Sequence, residues 1–149
     1  MIRMIRHRWQ QLKALSLQDW IGLFVCYFLL VLVAGSLSVS GYHRTRNLVD
    51  WFATKGSTSQ RPGGASMAWA HAITRLVNMA AWHGPVRFNC LSKALVLWGI
   101  LTRRGIPAEI RFGLHHEPDE TMFAHAWVEC HGVNLVDSAE TRQRITAFV

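Results

Sequence analysis

Cys90, His125 and Asp137 follow one another through the C-terminal part of a 149-residue chain. A thiol, an imidazole and a carboxylate within reach of one another can serve as nucleophile, general base and orienting group. These are the parts that acyl transfer on an amide requires. Cys90 opens an apolar-periodic run, His125 lies inside Phe123-Ala-His-Ala-Trp-Val-Glu129, and Asp137 closes Val133-Asn-Leu-Val-Asp137. Each also has an ordinary structural use, as a small core residue, a satisfied strand histidine and a turn cap respectively. Their joint order and spacing are what single them out.

The elements around them decide whether they can meet. Asn89 is a favoured helix cap, which makes Cys90 the first helical residue and Leu91, Ala94, Leu95, Trp98 and Leu101 the buried stripe. A thiol in the first turn faces the positive end of the helix dipole, which favours the thiolate. Arg103, Arg104 and Gly105, with Pro107 soon after, read as the helix end. Ala108 to Leu114 then alternates, with Ile110, Phe112 and Leu114 on one face and Glu109 and Arg111 on the other, which predicts a strand. His115 and His116 fall in the polar stretch that follows and His131 in the next turn, so all three are expected at the surface.

The turn before Asp137 carries the triad. A three-residue loop, Cys130-His131-Gly132 with Gly132 left-handed, sets Glu129 opposite Val133 and, along the same ladder, His125 opposite Asp137. Facing side chains of an antiparallel pair lie about 5 Å apart, within reach of an imidazole–carboxylate hydrogen bond. A two-residue loop pairs Asp137 with Ala126 instead and spoils that contact. Trp127 shares strand parity with His125 and is placed either to wall the site or to fill the core. The backbone N–H of Cys90 is one candidate oxyanion donor, with a second sought in Trp82 to Asn89.

Composition limits what the chain can be. At this length it can bury one modest core. Sixteen Lys and Arg against nine Asp and Glu suit an anionic partner, but Arg3, Arg6, Arg8 and Lys13 crowd the N-terminus, and no nucleic-acid-reading motif accompanies the charge. Three cysteines, Cys26, Cys90 and Cys130, have no paired spacing, so a disulfide framework is not expected and a reducing compartment is. A metal site drawn from Cys90, His115, His116, His125, Cys130 or His131 lacks the usual ligand spacings.

The front of the chain differs in kind. Trp20 to Tyr42 has no charged residue, and its run of about 20 apolar residues is long enough to cross a bilayer. A spanning helix would leave the basic flank in the cytoplasm and carry Cys90 out of it, against the cysteine reading. A signal peptide lacks a small-x-small cleavage site. The favoured expectation is a helix that packs on the domain or rests on the membrane, with contact through Trp20 to Val39. A short helix over His43 to Thr54, a loop over Lys55 to Gly64 and an amphipathic helix over Ala65 to Trp82 follow, the last ended by His83-Gly84-Pro85. The expected division is a helical region over 1–64 and a catalytic domain over 65–149.

Asn89-Cys-Leu-Ser-Lys-Ala-Leu-Val-Leu-Trp98, Leu101-Thr-Arg-Arg-Gly-Ile-Pro-Ala-Glu-Ile-Arg-Phe-Gly113 and Phe123-Ala-His-Ala-Trp-Val-Glu129 resemble, in this order, the transglutaminase-like maturation proteases of lasso peptide biosynthesis. The resemblance covers about residues 65 to 149 and is closest to the stand-alone form, often called B2. It implies an α+β fold of the papain/transglutaminase-like cysteine peptidase kind, a catalytic helix packed on a small antiparallel sheet, preceded by N-terminal helices. It implies Cys90 as nucleophile, His125 as base and then acid, and Asp137 as the group that orients the imidazole. The implied activity is removal of the leader from a ribosomally made lasso precursor, freeing the core amine for ring closure by an asparagine-synthetase-like cyclase. No leader-recognition domain is visible, so a separate B1, PqqD-like partner is expected. No cofactor or metal is implied. A transglutaminase or deamidase acting on a side-chain amide, and a non-enzymatic membrane-associated scaffold, are the competing readings.

Overall fold

The computed structural model describes residues 17–54, 64–83, 86, 88–116, 122–135 and 145–147. Helix α1 covers Leu17–Thr54, α2 Gly64–His83 and α3 Cys90–Arg103, followed by strands β1 Ala108–His116, β2 Met122–Cys130, β3 Val133–Asn134 and β4 Ile145–Ala147. The chain is α+β, as the sequence predicts. All pairings are antiparallel, and the sheet order is β3-β2-β1-β4.

Helix α1 is two limbs rather than one rod. Gly41 sits at φ 73° and ψ 176°, a conformation that a residue with a Cβ rarely adopts, and it breaks the helix there. The chain folds back so sharply that Ser36 and Thr45 share a hydroxyl–hydroxyl hydrogen bond of 2.9 Å, although nine residues apart. A straight helix would separate them by about 13 Å. Thr45 also donates to the Gly41 carbonyl at 2.9 Å, which secures the bend.

The first limb, Leu17 to Ser40, rises roughly 36 Å and is by length and composition able to cross a membrane. One side of it is already committed, however. Cys26, Leu30 and Val33 are buried in the same core as Leu95 and Leu101 of α3 and Val128 of β2. In this fold that side of the limb packs on the domain. Its other side is apolar too: Ile21, Phe24, Val25, Phe28 and Leu32 stay exposed.

Helix α3 is the central element. Ala94, Leu95, Trp98 and Leu101 are buried as predicted and Leu91 is partly buried, while Ser92, Val96, Leu97 and Gly99 are buried as well. The reason is that α3 is enclosed on two sides, by the sheet and by α1 and α2. Trp98 donates its indole N–H to the Ala108 carbonyl at 3.1 Å and fixes the helix to β1. At the C-terminal end Gly105, at φ 71°, lets Gly105 N–H reach Thr102 O (2.9 Å) and Ile106 N–H reach Leu101 O (3.0 Å).

Two expectations are corrected and one strand is added. Strand β1 runs two residues past Leu114, so His115 and His116 are strand residues rather than turn residues, with His115 opposite Phe123 and Ile145. β4, on the outer side of β1, has no counterpart in the sequence reading. The β2–β3 loop holds two residues, not three: Cys130 pairs with Val133 and Glu129 with Asn134, and Leu135 N–H continues the ladder to Val128 O at 2.9 Å. The cause is His131, which takes φ 50° beside Gly132 at φ 75°. Two successive left-handed residues make the tight primed turn that closes a hairpin with no third loop residue.

Candidate active site

Cys90 is the first residue of α3, and its placement begins with Asn89. The Asn89 backbone is extended (φ −77°, ψ 166°), and its side-chain oxygen accepts from Ser92 N–H at 2.8 Å and from Ser92 Oγ at 2.7 Å. This is the capping arrangement the sequence predicts, strengthened by a buried hydroxyl it did not foresee. One residue earlier, the ring of Phe88 meets Tyr27 of α1 edge-on, with centroids 5.8 Å apart. The first limb of α1 therefore anchors the segment that delivers the thiol.

The half-buried Cys90 Sγ lies 4.0 Å from the carbonyl oxygen of Ala124. The thiol thus abuts the backbone of β2 one residue ahead of His125. Along β2, Ala126, Val128 and Cys130 belong to the core shared with α3, so by strand alternation His125, Trp127 and Glu129 occupy the opposite face.

On that face the imidazole is part of a chain of contacts. The His125 ring stacks on Trp127, with centroids 6.2 Å apart and planes 19° apart. Trp127 is buried and donates its indole N–H to Glu129 Oε1 at 3.2 Å. The other Glu129 oxygen takes Arg111 Nε at 3.2 Å, and Arg111 also pairs with Glu109 at 3.2 Å. Sequence reasoning marked Trp127 but assigned Glu129 and Arg111 no role. The available signal was parity, because residues 125, 127 and 129 alternate onto one side of β2 and Arg111 sits opposite Trp127 on β1.

Asp137 lies outside the described residues. The cross-strand alignment of His125 with Asp137 that a three-residue loop would create is not the register the described ladder follows. His131 is exposed in its turn, as expected. Among the described residues no three of His, Cys, Asp and Glu gather as a metal site.

Two further thiols set Cys90 apart. Cys26 and Cys130 are free but buried, and burial, which penalises the thiolate, pushes the Cys26 pKa up to about 11 and raises that of Cys130.

A helix opening on a half-exposed cysteine and packed against a strand that carries a histidine is an arrangement shared by many acyl-transfer enzymes. The family model of the transglutaminase-like superfamily matches residues 29–149. The chain belongs to the transglutaminase-like superfamily. No curated protein and no solved structure matches it. The superfamily match takes in both limbs of the bend at Gly41, from Leu29 onward, together with α2, α3 and the sheet. Membership in this superfamily supports cysteine peptidase or acyl-transfer chemistry in general terms.

Proposed function

We propose that this transglutaminase-like protein is a cysteine peptidase that removes the leader from a ribosomally made lasso peptide precursor. The observation that carries the reading is the half-buried Cys90 thiol at the start of α3, 4.0 Å from the Ala124 carbonyl oxygen of β2, the residue before His125 in the chain. The three motifs around residues 89–98, 101–113 and 123–129 supply the more specific lasso assignment.

This mechanism requires the His125 ring, whose strand position alternates away from the α3 core, to turn toward Cys90 Sγ, where it takes the thiol proton as the sulfur attacks the scissile carbonyl. The developing oxyanion is met by the backbone N–H of Cys90, since the Asn89 side chain already occupies that of Ser92. His125 then donates its proton to the departing amine, which leaves as the free N-terminus of the core peptide. The leader remains as a thioester on Cys90, and water activated by His125 releases it with a new carboxylate. Asp137 is the proposed orienting carboxylate, on the strength of its place after Cys90 and His125 in the sequence.

The proposed partners are the leader-bearing precursor, a separate leader-recognition protein and an asparagine-synthetase-like cyclase that closes the ring on the freed amine. The proposed location is the cytoplasm, with the exposed apolar side of α1 resting on the inner face of the membrane. Superfamily membership also favours one alternative chemistry, acyl transfer or deamidation at a side-chain amide.

Intact-mass analysis of purified protein with a lasso precursor from its own gene neighbourhood and the matching leader-binding protein tests the reading. A leader fragment plus core peptide, absent with Cys90→Ala, is the expected result. A mass gain of about one unit without cleavage would move the assignment to side-chain amides, and unchanged precursor would leave a scaffold.

A further inference from the structure

A second concave site lies on the other side of α3 from the sheet. The two limbs of α1, with Trp69 and Ile73 of α2, enclose a cleft of about 820 Å³ over the C-terminal half of α3, within the range of small-ligand sites. Its floor runs from Val96 to Arg104, about 12 Å of helix, and its walls are almost wholly aliphatic and aromatic. Ser36 and Thr45, which satisfy each other, belong to the end near the Gly41 bend. Arg103 and Arg104 belong to the other end.

Each of these two cations lies over an aromatic ring, and among the described residues neither is paired with a carboxylate. Arg103 lies over the Phe52 ring at 4.5 Å and gives one N–H to the Phe52 carbonyl at 3.1 Å, while Arg104 lies over Trp69 at 4.5 Å. The carboxylates of Glu109 and Glu129 are both taken by Arg111. A guanidinium has five N–H donors, so most remain for an anion. The C-terminus of α3 opposes an anion with about half an elementary charge, and its last carbonyls are largely capped by Arg104, Gly105 and Ile106 N–H groups. Two full positive charges outweigh that.

An occupant must therefore pair a long apolar body with an anionic head. We propose that this cleft binds one anionic lipid, its acyl chain along the α3 floor and its phosphate on Arg103 and Arg104. The proposal deepens the membrane contact suggested above and is independent of peptidase chemistry. The cleft is distinct from the peptide-cutting site, because Cys90 does not line it and stands about 9 Å along α3 from Val96, where its floor begins, and about 20 Å from the arginines. Residues 1–16 are a poor occupant, since they carry Arg3, Arg6, Arg8 and Lys13 and no acidic residue. A second copy of a chain of net charge +7 is poor for the same reason. Lipid is favoured over an acidic peptide by continuity: Val25 and Leu32 line the cleft, are half exposed, and adjoin the outward-facing Phe24 and Phe28. One apolar surface thus leads from the flank of α1 into the cleft.

Calorimetric titration of the full chain with monomeric lauroyl lysophosphatidylglycerol, below its micelle concentration, tests this directly. Saturable one-to-one binding is expected, about tenfold or more tighter than for the phosphocholine lipid of the same chain. R103Q/R104Q should abolish that preference, and Leu32→Gln, at an exposed lip position, should weaken both lipids. Equal affinity for the two lipids, no effect of R103Q/R104Q, or competition by inorganic phosphate alone or by an acidic amphipathic peptide at comparable strength would each overturn the proposal. Flotation with phosphatidylglycerol vesicles separates the readings: flotation without monomer binding leaves membrane contact standing and removes the lipid cleft. Precursor cleavage by R103Q/R104Q in lipid-free solution should equal that of the unaltered chain.

Discussion

The imidazole of His125 rests on the indole of Trp127, with ring centroids 6.2 Å apart and planes 19° apart. Trp127 is held by Glu129 and Glu129 by Arg111, so the orientation of the proposed base traces back to an ion pair across the two central strands, β1 and β2. Trp127→Leu removes the stacking surface and is expected to lower kcat by about ten- to a hundredfold, with KM little changed, because it displaces the base without touching bound peptide. Glu129→Gln keeps an acceptor for the indole N–H and should cost far less than Glu129→Ala. Steady-state kinetics on the precursor, with the pH profile of kcat, would check both. Equal effects of the two Glu129 variants would break the proposed chain of contacts.

Cys90 owes its position to the cap before it. Asn89→Ala removes the acceptor for Ser92 N–H and leaves the buried Ser92 hydroxyl without its partner, for an expected loss of about 1 to 2 kcal/mol in unfolding free energy. Asn89→Asp retains both contacts and should recover most of it. Cys90→Ala should lose all cleavage while unfolding at nearly the same urea concentration as the parent. Urea titrations beside activity assays separate a positioning loss from a chemical one.

Much of this was legible because short-range rules governed it. The cap at Asn89, the Arg104-Gly105 helix end and the alternation of β1 each depend on residues a few positions apart, and each formed as expected. The loop after Cys130 was misjudged because its length turns on one non-glycine residue accepting φ 50°, and His131 does so in favour of the tighter turn. β4 escaped because three residues pairing with distant β1 leave no periodic trace. The apolar run of α1 satisfied both membrane and core readings, and the structure shows one side of it, Cys26, Leu30 and Val33, buried against α3 while the other stays exposed and apolar.

The turn itself can be tested. His131→Asn replaces a strained left-handed residue with one that tolerates this conformation and should stabilise the protein by roughly 0.5 to 1 kcal/mol. Gly132→Ala should destabilise it by a similar amount through backbone strain alone, since no atom lies within 4 Å of the added Cβ. A three-residue loop would give His131→Asn no benefit. Thermal denaturation of the three proteins would discriminate.

The buried thiols make stability fall in alkali. Cys26 has a reference pKa of 9.0 and is pushed to about 11 by burial, and Cys130 moves in the same direction. Below 9.0 the thiol is protonated in both folded and unfolded chains, and its contribution to stability is fully present. Between 9.0 and about 11 the unfolded chain releases a proton that the folded chain keeps. Stability then declines with rising pH, by up to about 1.4 kcal/mol per pH unit for one such thiol. Cys26→Ala should flatten that decline even if its small cavity lowers stability at neutral pH. For the same reason iodoacetamide near neutral pH should label Cys90 in the folded protein well before Cys26 or Cys130, as peptide mass mapping would reveal.

The contact between α1 and α3 has one position with no slack. A Cβ placed on Gly99 would come within 2.7 Å of Val49 Cγ1, so even a methyl forces a shift between the second limb and the central helix. Gly99→Ala trades better helix propensity, worth about 1 kcal/mol, against overpacking of about 1 to 3 kcal/mol. A net loss is expected because Gly99 is buried and Val49 is packed on the core. Val49→Ala in the Gly99→Ala background removes the obstructing atom and should restore part of that loss. A double-mutant cycle by urea unfolding measures the coupling. Simple additivity would mean that the second limb does not bear on α3 as described.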